Sequence, residues 1–256
     1  MPIAKSDFIE GLAKGLAVLE AFDTERQRLN ATQAAQRTGI TRAAARRHLL
    51  TLAELGYLET DGSHYWLSAR VLRLAGSYMA TSRLPRTLQP TLNRLAAQTQ
   101  AAFSAVVLDG DECVIVARSA GLAEPVRHLA YGLHLGARLP AHATSTGRVL
   151  LANLSKDDFA VWIKGRELAR ITPKTEVAAL KFKALVEQAR RDDHCLARDG
   201  HELGIHALAV PLRNMQGKTL AALNVVGTAD QLSEAAVQRK WLPLLLEAAR
   251  ELRPLL

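Results

Sequence analysis

Apolar positions recur every three to four residues through residues 41–59, TRAAARRHLLTLAELGYLE, and predict a helix with two unlike faces. At about 100° per residue, Ala45, Leu49 and Leu52 share one side, Ala43 and Arg47 project from the other, and Arg42 and Arg46 lie on the flank between. The Thr41 hydroxyl is suited to cap the start, and Gly56 to end the helix in a left-handed conformation. Small Ala43 and Ala44 near the start let the backbone come close to a surface, as a helix lying in a DNA major groove must. Upstream, residues 31–40, ATQAAQRTGI, predict a shorter helix with Ala34, Ala35 and Ile40 apolar and Gly39 placed to turn the chain. Downstream, residues 57–59 and 65–67 are short β-like runs joined by Thr60-Asp61-Gly62-Ser63-His64, whose Asp-Gly pair favours a hairpin. Helix, turn, basic helix and hairpin, in that order, read as a winged helix-turn-helix. A small helical bundle with a solvated arginine face carries the same pattern and is the plainer alternative.

Residues 69–82 continue as a helix, with Val71, Leu72, Leu74, Ala75 and Tyr78 apolar, Arg70 and Arg73 polar, and Pro85 just beyond the end. This reads as a linker helix, dividing the chain into a DNA-binding domain at 1–68, a linker at 69–83 and a second domain at 84–256. Past the linker the period changes repeatedly. Residues 88–100 predict an amphipathic helix, and AFSAVVLDGDECVIVARSA predicts two strands about the Asp109-Gly110 turn. Residues 205–212 and 219–226 repeat that arrangement around Asn214-Met215-Gln216-Gly217, with helices at 182–191 and 232–252 beside them. Antiparallel hairpins with helices between and after them define an α+β domain rather than a doubly wound one.

Composition fits two ordinary soluble domains: 256 residues, 48% of them hydrophobic, supply a core for each. No apolar stretch approaches the roughly 18 residues of a membrane span, and the amino terminus lacks the apolar core of a signal peptide, so a cytoplasmic protein with no membrane partner is expected. Cys113 and Cys195 are the two cysteines, far apart in sequence, which gives no disulfide framework. A net charge of +8 favours a polyanionic partner, although Lys164, Arg166, Lys181 and Arg190 spread that charge into the second domain, where solvated faces explain it. Aromatic residues are 5% of the chain and none interleaves with the basic helix, so duplex DNA suits this surface better than RNA.

Residues 8–22, FIEGLAKGLAVLEAF, followed by the helix and wing of 41–67, resemble the amino-terminal domain of the IclR family of bacterial transcriptional regulators. Residues 139–152, LPAHATSTGRVLLA, and 205–212, IHALAVPL, resemble the two signature stretches of that family's effector-binding domain. The likeness is nearest to the branch that responds to 4-hydroxybenzoate, protocatechuate and β-ketoadipate-pathway intermediates. It implies a GAF-like antiparallel sheet with helices on its faces, a ligand cup above the sheet, no cofactor, and an activator of aromatic acid catabolism. It also implies a homodimer, with a tetramer as the alternative, paired through the linker helix on an inverted-repeat operator; contact with RNA polymerase stays open. Contacts to DNA are expected from Thr32, Thr41, Arg42, Ala43, Ala44, Arg46 and Arg47, and from His64 and Tyr65 of the wing. Contacts to the effector are expected from His128 and Tyr131 of VRHLAYGL, from Ser145 and Thr146, and from Asn224 and Val226, with His201 and Ala207 at the border.

Three constellations in the second domain bear on chemistry. The run His142-Ala143-Thr144-Ser145-Thr146-Gly147 precedes an apolar helix, so its hydroxyls and free N–H groups form an anion site, or Thr144 or Ser145 simply caps the helix. The letters A-T-S-T-G also touch the nucleophile-elbow pattern, but Leu139-Pro140-Ala141-His142 is no buried strand. His194, Cys195, His201 and His206 cluster in sequence, yet their spacing matches no zinc motif, and no metal is expected. Here the chain departs from the family pattern, which has an acid where Arg198 stands and commonly an arginine where His206 stands. Asn224 interrupts the apolar run LNVVG, and a buried amide there needs partners, from a ligand or from neighbouring backbone. The competing function is an enzyme or metal-dependent sensor whose second domain carries out chemistry on a small acid.

Overall fold

The computed structural model describes residues 3–23, 26–119 and 134–256; His128 and Tyr131 lie outside the described residues. The chain divides into two compact units, Met1–Thr81 and Ser82–Leu256. Among the described residues no helix is long and apolar enough to cross a membrane.

The first unit packs α1 (Glu10–Glu20), α2 (Ala31–Thr38) and α3 (Arg42–Glu54) with the hairpin β1 (Leu58–Thr60) and β2 (Tyr65–Leu67). Its core is Val18, Leu29, Ala34, Ala45, Leu49, Leu52 and Leu58, so the apolar face of the basic helix is turned inward as its period requires. Helix ends are closed by local chemistry. The Asn30 side chain accepts from the N–H groups of Thr32 and Gln33 while the Gln33 side chain accepts from the Asn30 N–H, a capping box. Thr41 Oγ1 accepts from the Ala44 N–H at 3.2 Å. At the other end of α3, Tyr57 N–H donates to Leu52 O and Gly56 N–H to Ala53 O, both at 2.9 Å, with Gly56 at φ 77°. This is a Schellman closure, in which a left-handed residue satisfies the last carbonyls.

The wing requires one correction. Leu29 and Tyr65 exchange both backbone hydrogen bonds, at 3.0 and 2.9 Å, adding a third strand position to the hairpin. That pairing turns the Tyr65 side chain into the core, where it is 6% exposed, so Tyr65 presents no side chain to DNA. His64 stays half-exposed at the wing.

Residues 69–81 form one 3-10 turn, Ala69–Val71, capped by Ser68, and then α4 (Leu72–Thr81), which buries no residue within this unit. The next helix, α5 (Arg83–Thr99), starts five residues earlier than the apolar pattern predicts. Pro85 falls in its first turn, where the backbone N–H has no helical acceptor to lose, so the proline that looked like a terminator is an acceptable starter. Pro90 sits inside the helix and leaves the carbonyl four residues back without a helical donor.

The second unit is built on a six-stranded antiparallel sheet in the order β5-β4-β3-β8-β7-β6. The strands are β3 (Ala102–Asp109), β4 (Glu112–Arg118), β5 (Arg138–Pro140), β6 (Cys195–Arg198), β7 (Ile205–Arg213) and β8 (Thr219–Thr228). Side chains alternate between faces. Phe103, Ala105, Leu208, Val210, Leu223 and Val225 point to one core, shared with Leu88, Leu92 and Leu95 of α5 and with the carboxyl-terminal helices. Those are α9 (Glu234–Ala236) and α10 (Leu242–Leu252), joined by a π turn over Val237–Trp241. Pro243, with no N–H to give to the carbonyl four residues back, accounts for the widened turn. The opposite core holds Cys113, Ile115, Leu151, Phe159, Phe182 and Val186, from the sheet and from α6 (Ser145–Ala152), α7 (Lys156–Ile163) and α8 (Ala179–Asp192).

Two glycines set how closely α6 approaches its neighbours. A Cβ on Gly147 would fall 2.0 Å from Ala141 O, and one on Gly200 would fall 2.6 Å from Ala143 O. The 3-10 turn Ala141–Ala143 is therefore gripped from both sides by backbone that no other residue could supply. Gly147→Ala is expected to destabilise the second unit by about 3 kcal/mol, the upper range for overpacking against rigid backbone. Gly11→Ala, where a Cβ meets nothing on a helix, is expected to stabilise the first unit by roughly 0.5–1 kcal/mol. Urea denaturation of both variants checks the pair of signs.

Candidate functional site

On the α6 side of the sheet, residues aligned across the strands form rows. Arg118 pairs with Ser104, Ser104 with Asn224, and Asn224 with Ala209, running across β4, β3, β8 and β7. The adjacent row is Ala102, Val226, Ala207 and Ala197, and on the other side Val106 pairs with Ile115 and Ala222. Side chains in such rows share a face. Above them lie the start of α6 and the loop through Gly200 and His201, and between floor and roof is a cavity of about 150 Å³.

Ser145, Thr146, His201, Ala207, Asn224 and Val226, the six predicted effector positions among the described residues, all line this cavity. Sequence reasoning did not single out Ser104, Val106, Ile115, Leu139, Gly200 or Glu202, which line it too. Ser104 carried a readable signal: like Asn224, it is a lone polar residue in an apolar strand, and the two are register partners.

Capping and an unoccupied hydroxyl coexist at the helix start. Thr144 Oγ1 accepts from the Gly147 N–H at 3.1 Å and from the Thr146 hydroxyl at 3.3 Å, closing the first turn. Ser145 is thereby released from capping; it is 1% exposed and its Oγ has no hydrogen-bond partner. Two further cavity-lining atoms share that condition, His201 Nδ1 and Asn224 Oδ1. Three polar atoms without a protein partner converge on one small cavity, an arrangement for a polar guest. Burial lowers the His201 pKa from its ordinary 6.5, against an opposing pull from Glu202, and keeps the ring neutral near pH 7. The Cys113 thiol, packed among apolar side chains, is pushed up to about 11 and is inert.

The remaining constellations resolve otherwise. His142 Nε2 bonds Ala169 O at 2.8 Å and its ring stands edge-on to Phe182, so this histidine braces the core. Ser145 follows a 3-10 turn instead of a strand and has no base within hydrogen-bond distance, which removes the nucleophile elbow. Cys195 pairs with Ala209 and His206 with Arg198, an odd number of residues apart on β7, so the two point to opposite faces of the sheet. His194 is half-buried with Nδ1 on Asp192 O, and among the described residues no group of three His, Cys, Asp or Glu side chains could hold a metal.

In the first unit, Thr32, Thr41, Arg42, Ala43, Arg46 and Arg47 are exposed, and Ala44 is half-buried. None of these three guanidinium groups has a hydrogen-bond or ion-pair partner among the described residues, whereas Arg37 pairs with Asp23 and Arg28 stacks 4.2 Å over Trp66. At the wing, Asp61 accepts from the backbone N–H groups of His64 and Ser63 and from the Ser63 hydroxyl; these bonds pull its carboxyl down to about 2 and hold the tip.

A winged helix-turn-helix with three unpaired arginines on its second helix, in one chain with an α+β unit enclosing a polar-studded cavity, defines a ligand-responsive DNA-binding regulator. The chain belongs to the IclR family of bacterial transcriptional regulators: the IclR helix-turn-helix domain matches residues 11–62, and the bacterial transcriptional regulator IclR C-terminal domain matches residues 76–253. These are transcription factors and not enzymes. The p-hydroxybenzoate hydroxylase transcriptional activator of Acinetobacter baylyi is 50% identical over 254 residues, covering 99% of this chain and 94% of that protein. Among solved structures, a double mutant of the PobR inducer-binding domain from Acinetobacter, in complex with 3-hydroxybenzoic acid, is 44% identical with a TM-score of 0.62 over 67% of this chain and 98% of that one. An IclR homolog from Microbacterium hydrocarbonoxydans in complex with 4-hydroxybenzoate is 25% identical, with a TM-score of 0.71 over 95% of this chain and 97% of that one.

Proposed function

We propose that the second unit binds a small aromatic hydroxy acid, 4-hydroxybenzoate or 3,4-dihydroxybenzoate, and that binding activates transcription of genes for aromatic acid breakdown. The observation that carries this reading is the cavity itself: about 150 Å³, with Ser145 Oγ, His201 Nδ1 and Asn224 Oδ1 unpaired in its walls. A cavity near that size takes one benzene ring. Val106, Ile115 and Val226 offer apolar walls to the ring, and Ser145, His201 and Asn224 offer hydrogen-bonding groups to its polar substituents. The relatives named above, one an activator of p-hydroxybenzoate hydroxylase and two solved with hydroxybenzoates, support the same effector class. The protein acts in the cytoplasm as a homodimer on inverted half-sites, and the exposed Leu72, Leu74 and Tyr78 of α4 are an apolar surface suited to pairing subunits. Arg42, Arg46 and Arg47 meet bases or phosphates, with Thr32 and His64 at the flanks.

In calorimetry on the full chain, 4-hydroxybenzoate and 3,4-dihydroxybenzoate are expected to bind, and benzoate about 10-fold or more weakly because it leaves one buried polar group unpaired. Equal affinities for benzoate and 4-hydroxybenzoate would remove the hydroxyl from the recognition. Arg47→Ala is expected to weaken binding to an operator selected by the wild-type protein by roughly 1–3 kcal/mol where the arginine reads a base, or to flatten the salt dependence where it meets phosphate. Unchanged affinity and salt slope in both Arg46→Ala and Arg47→Ala, followed by fluorescence anisotropy, would contradict the recognition helix.

A further inference from the structure

Among the described residues, the cavity lining holds no arginine or lysine. Its ionised side chain is Glu202, at the exposed rim; the other polar groups are hydroxyls, a neutral imidazole and an amide. A carboxylate drawn out of water into such a site without a cation would be strongly disfavoured.

Beside the lining residue Ser104, on the same face of the sheet but outside the cavity lining itself, stands a cation. Arg118, the last residue of β4, stands opposite Ser104, which stands opposite Asn224, so the three form one polar row on the face that floors the cavity. The neighbouring pair Ala105 and Ala117 belongs to the core on the other face, which confirms the side on which Arg118 lies. Two strand spacings, about 9.5 Å, separate Arg118 from Asn224 along the row. Arg118 Nη2 is buried and has no hydrogen-bond partner. Asn224 Oδ1, at the other end of the row, is in the same condition. Arg148, another buried cation nearby, is engaged through Nε with His142 O at 3.2 Å, and Arg138 is paired with Glu112. Arg118 is half-buried, and the fork of a guanidinium with a free, buried Nη2 matches a carboxylate.

We propose that Arg118 is the effector's carboxylate anchor: it binds the acid group beside Ser104, and so makes the site select acids over neutral ring compounds of the same shape. This rests on the aromatic-acid reading above. The acid group then lies at the β4 end of the row and the ring extends toward Asn224 and His201.

The test is calorimetry on the full-length protein with 4-hydroxybenzoate and its neutral counterpart 4-hydroxybenzamide, for wild type, Arg118→Gln and Arg118→Lys. Wild type is expected to prefer the acid by about 10- to 100-fold, the range for a hydrogen bond to a charged group. Arg118→Gln is expected to lose that preference while its amide affinity stays within about 3-fold, and Arg118→Lys, which keeps the charge but not the fork, to keep part of it. The lysine variant carries the result if the glutamine variant fails to melt cooperatively, because an acid-to-amide ratio equal to that of wild type in Arg118→Lys would also speak against a forked contact. Wild-type binding with an unchanged ratio in Arg118→Gln overturns the anchor and leaves the aromatic-acid reading standing. No binding of any aromatic acid to wild type overturns both.

Discussion

The antiparallel pairing of β3 with β8, which sets Ser104 opposite Asn224, is the constraint on which the second unit depends. Odd-numbered Phe103, Ala105, Leu223 and Val225 go to the core under α5 and α10; even-numbered Ser104, Val106, Asn224 and Val226 floor the cavity. A slip of one residue in either strand would send a serine or an asparagine into the apolar core and a phenylalanine into the cavity. The hydrophobic effect therefore enforces the register, and the register delivers the polar row. Function and stability are written on alternate residues of the same two strands.

The roof of the cavity follows from backbone packing. Gly147 and Gly200 let the Ala141–Ala143 turn sit in direct backbone contact with both, which places the first turn of α6 over the floor. Thr144 closes that turn, so Ser145 is held at the cavity with nothing to bond. Small side chains opposite, Ala197 and Ala207, leave the volume open. The first unit shows the contrasting solution: its helix ends are satisfied by Asn30, Gln33, Thr41 and Gly56, and the groups left without partners are exposed guanidiniums, for which water is an adequate solvent until DNA replaces it.

Much of this was legible in the sequence wherever a feature is local and periodic. The arginine and leucine faces of α3, its Thr41 cap and Gly56 stop, and the hairpin strands follow from spacing within a few residues. Ser145, Thr146, Asn224 and Val226 were reachable through the resemblance together with the oddity of an amide in an apolar strand. What escaped was set by distant partners. Tyr65 was misread because its orientation is decided by Leu29, a bridge outside the hairpin. Arg118 carries no local signal in the sequence, and only the register puts it beside Ser104. Pro85 reads as a terminator until α5 is seen to begin two residues before it. The histidine and cysteine cluster looked compact because sequence proximity hides the alternation of a strand, which sends Cys195 and His206 to opposite faces.

The central claim is that the polar atoms in the cavity walls are the effector's hydrogen-bonding partners. Urea denaturation of wild type and of the Ser145→Ala/Asn224→Leu double variant, each with and without saturating 4-hydroxybenzoate, tests it most directly. The account predicts that saturating ligand raises the stability of wild type markedly and that of the double variant little. A double variant stabilised by 4-hydroxybenzoate to the same extent as wild type would contradict it.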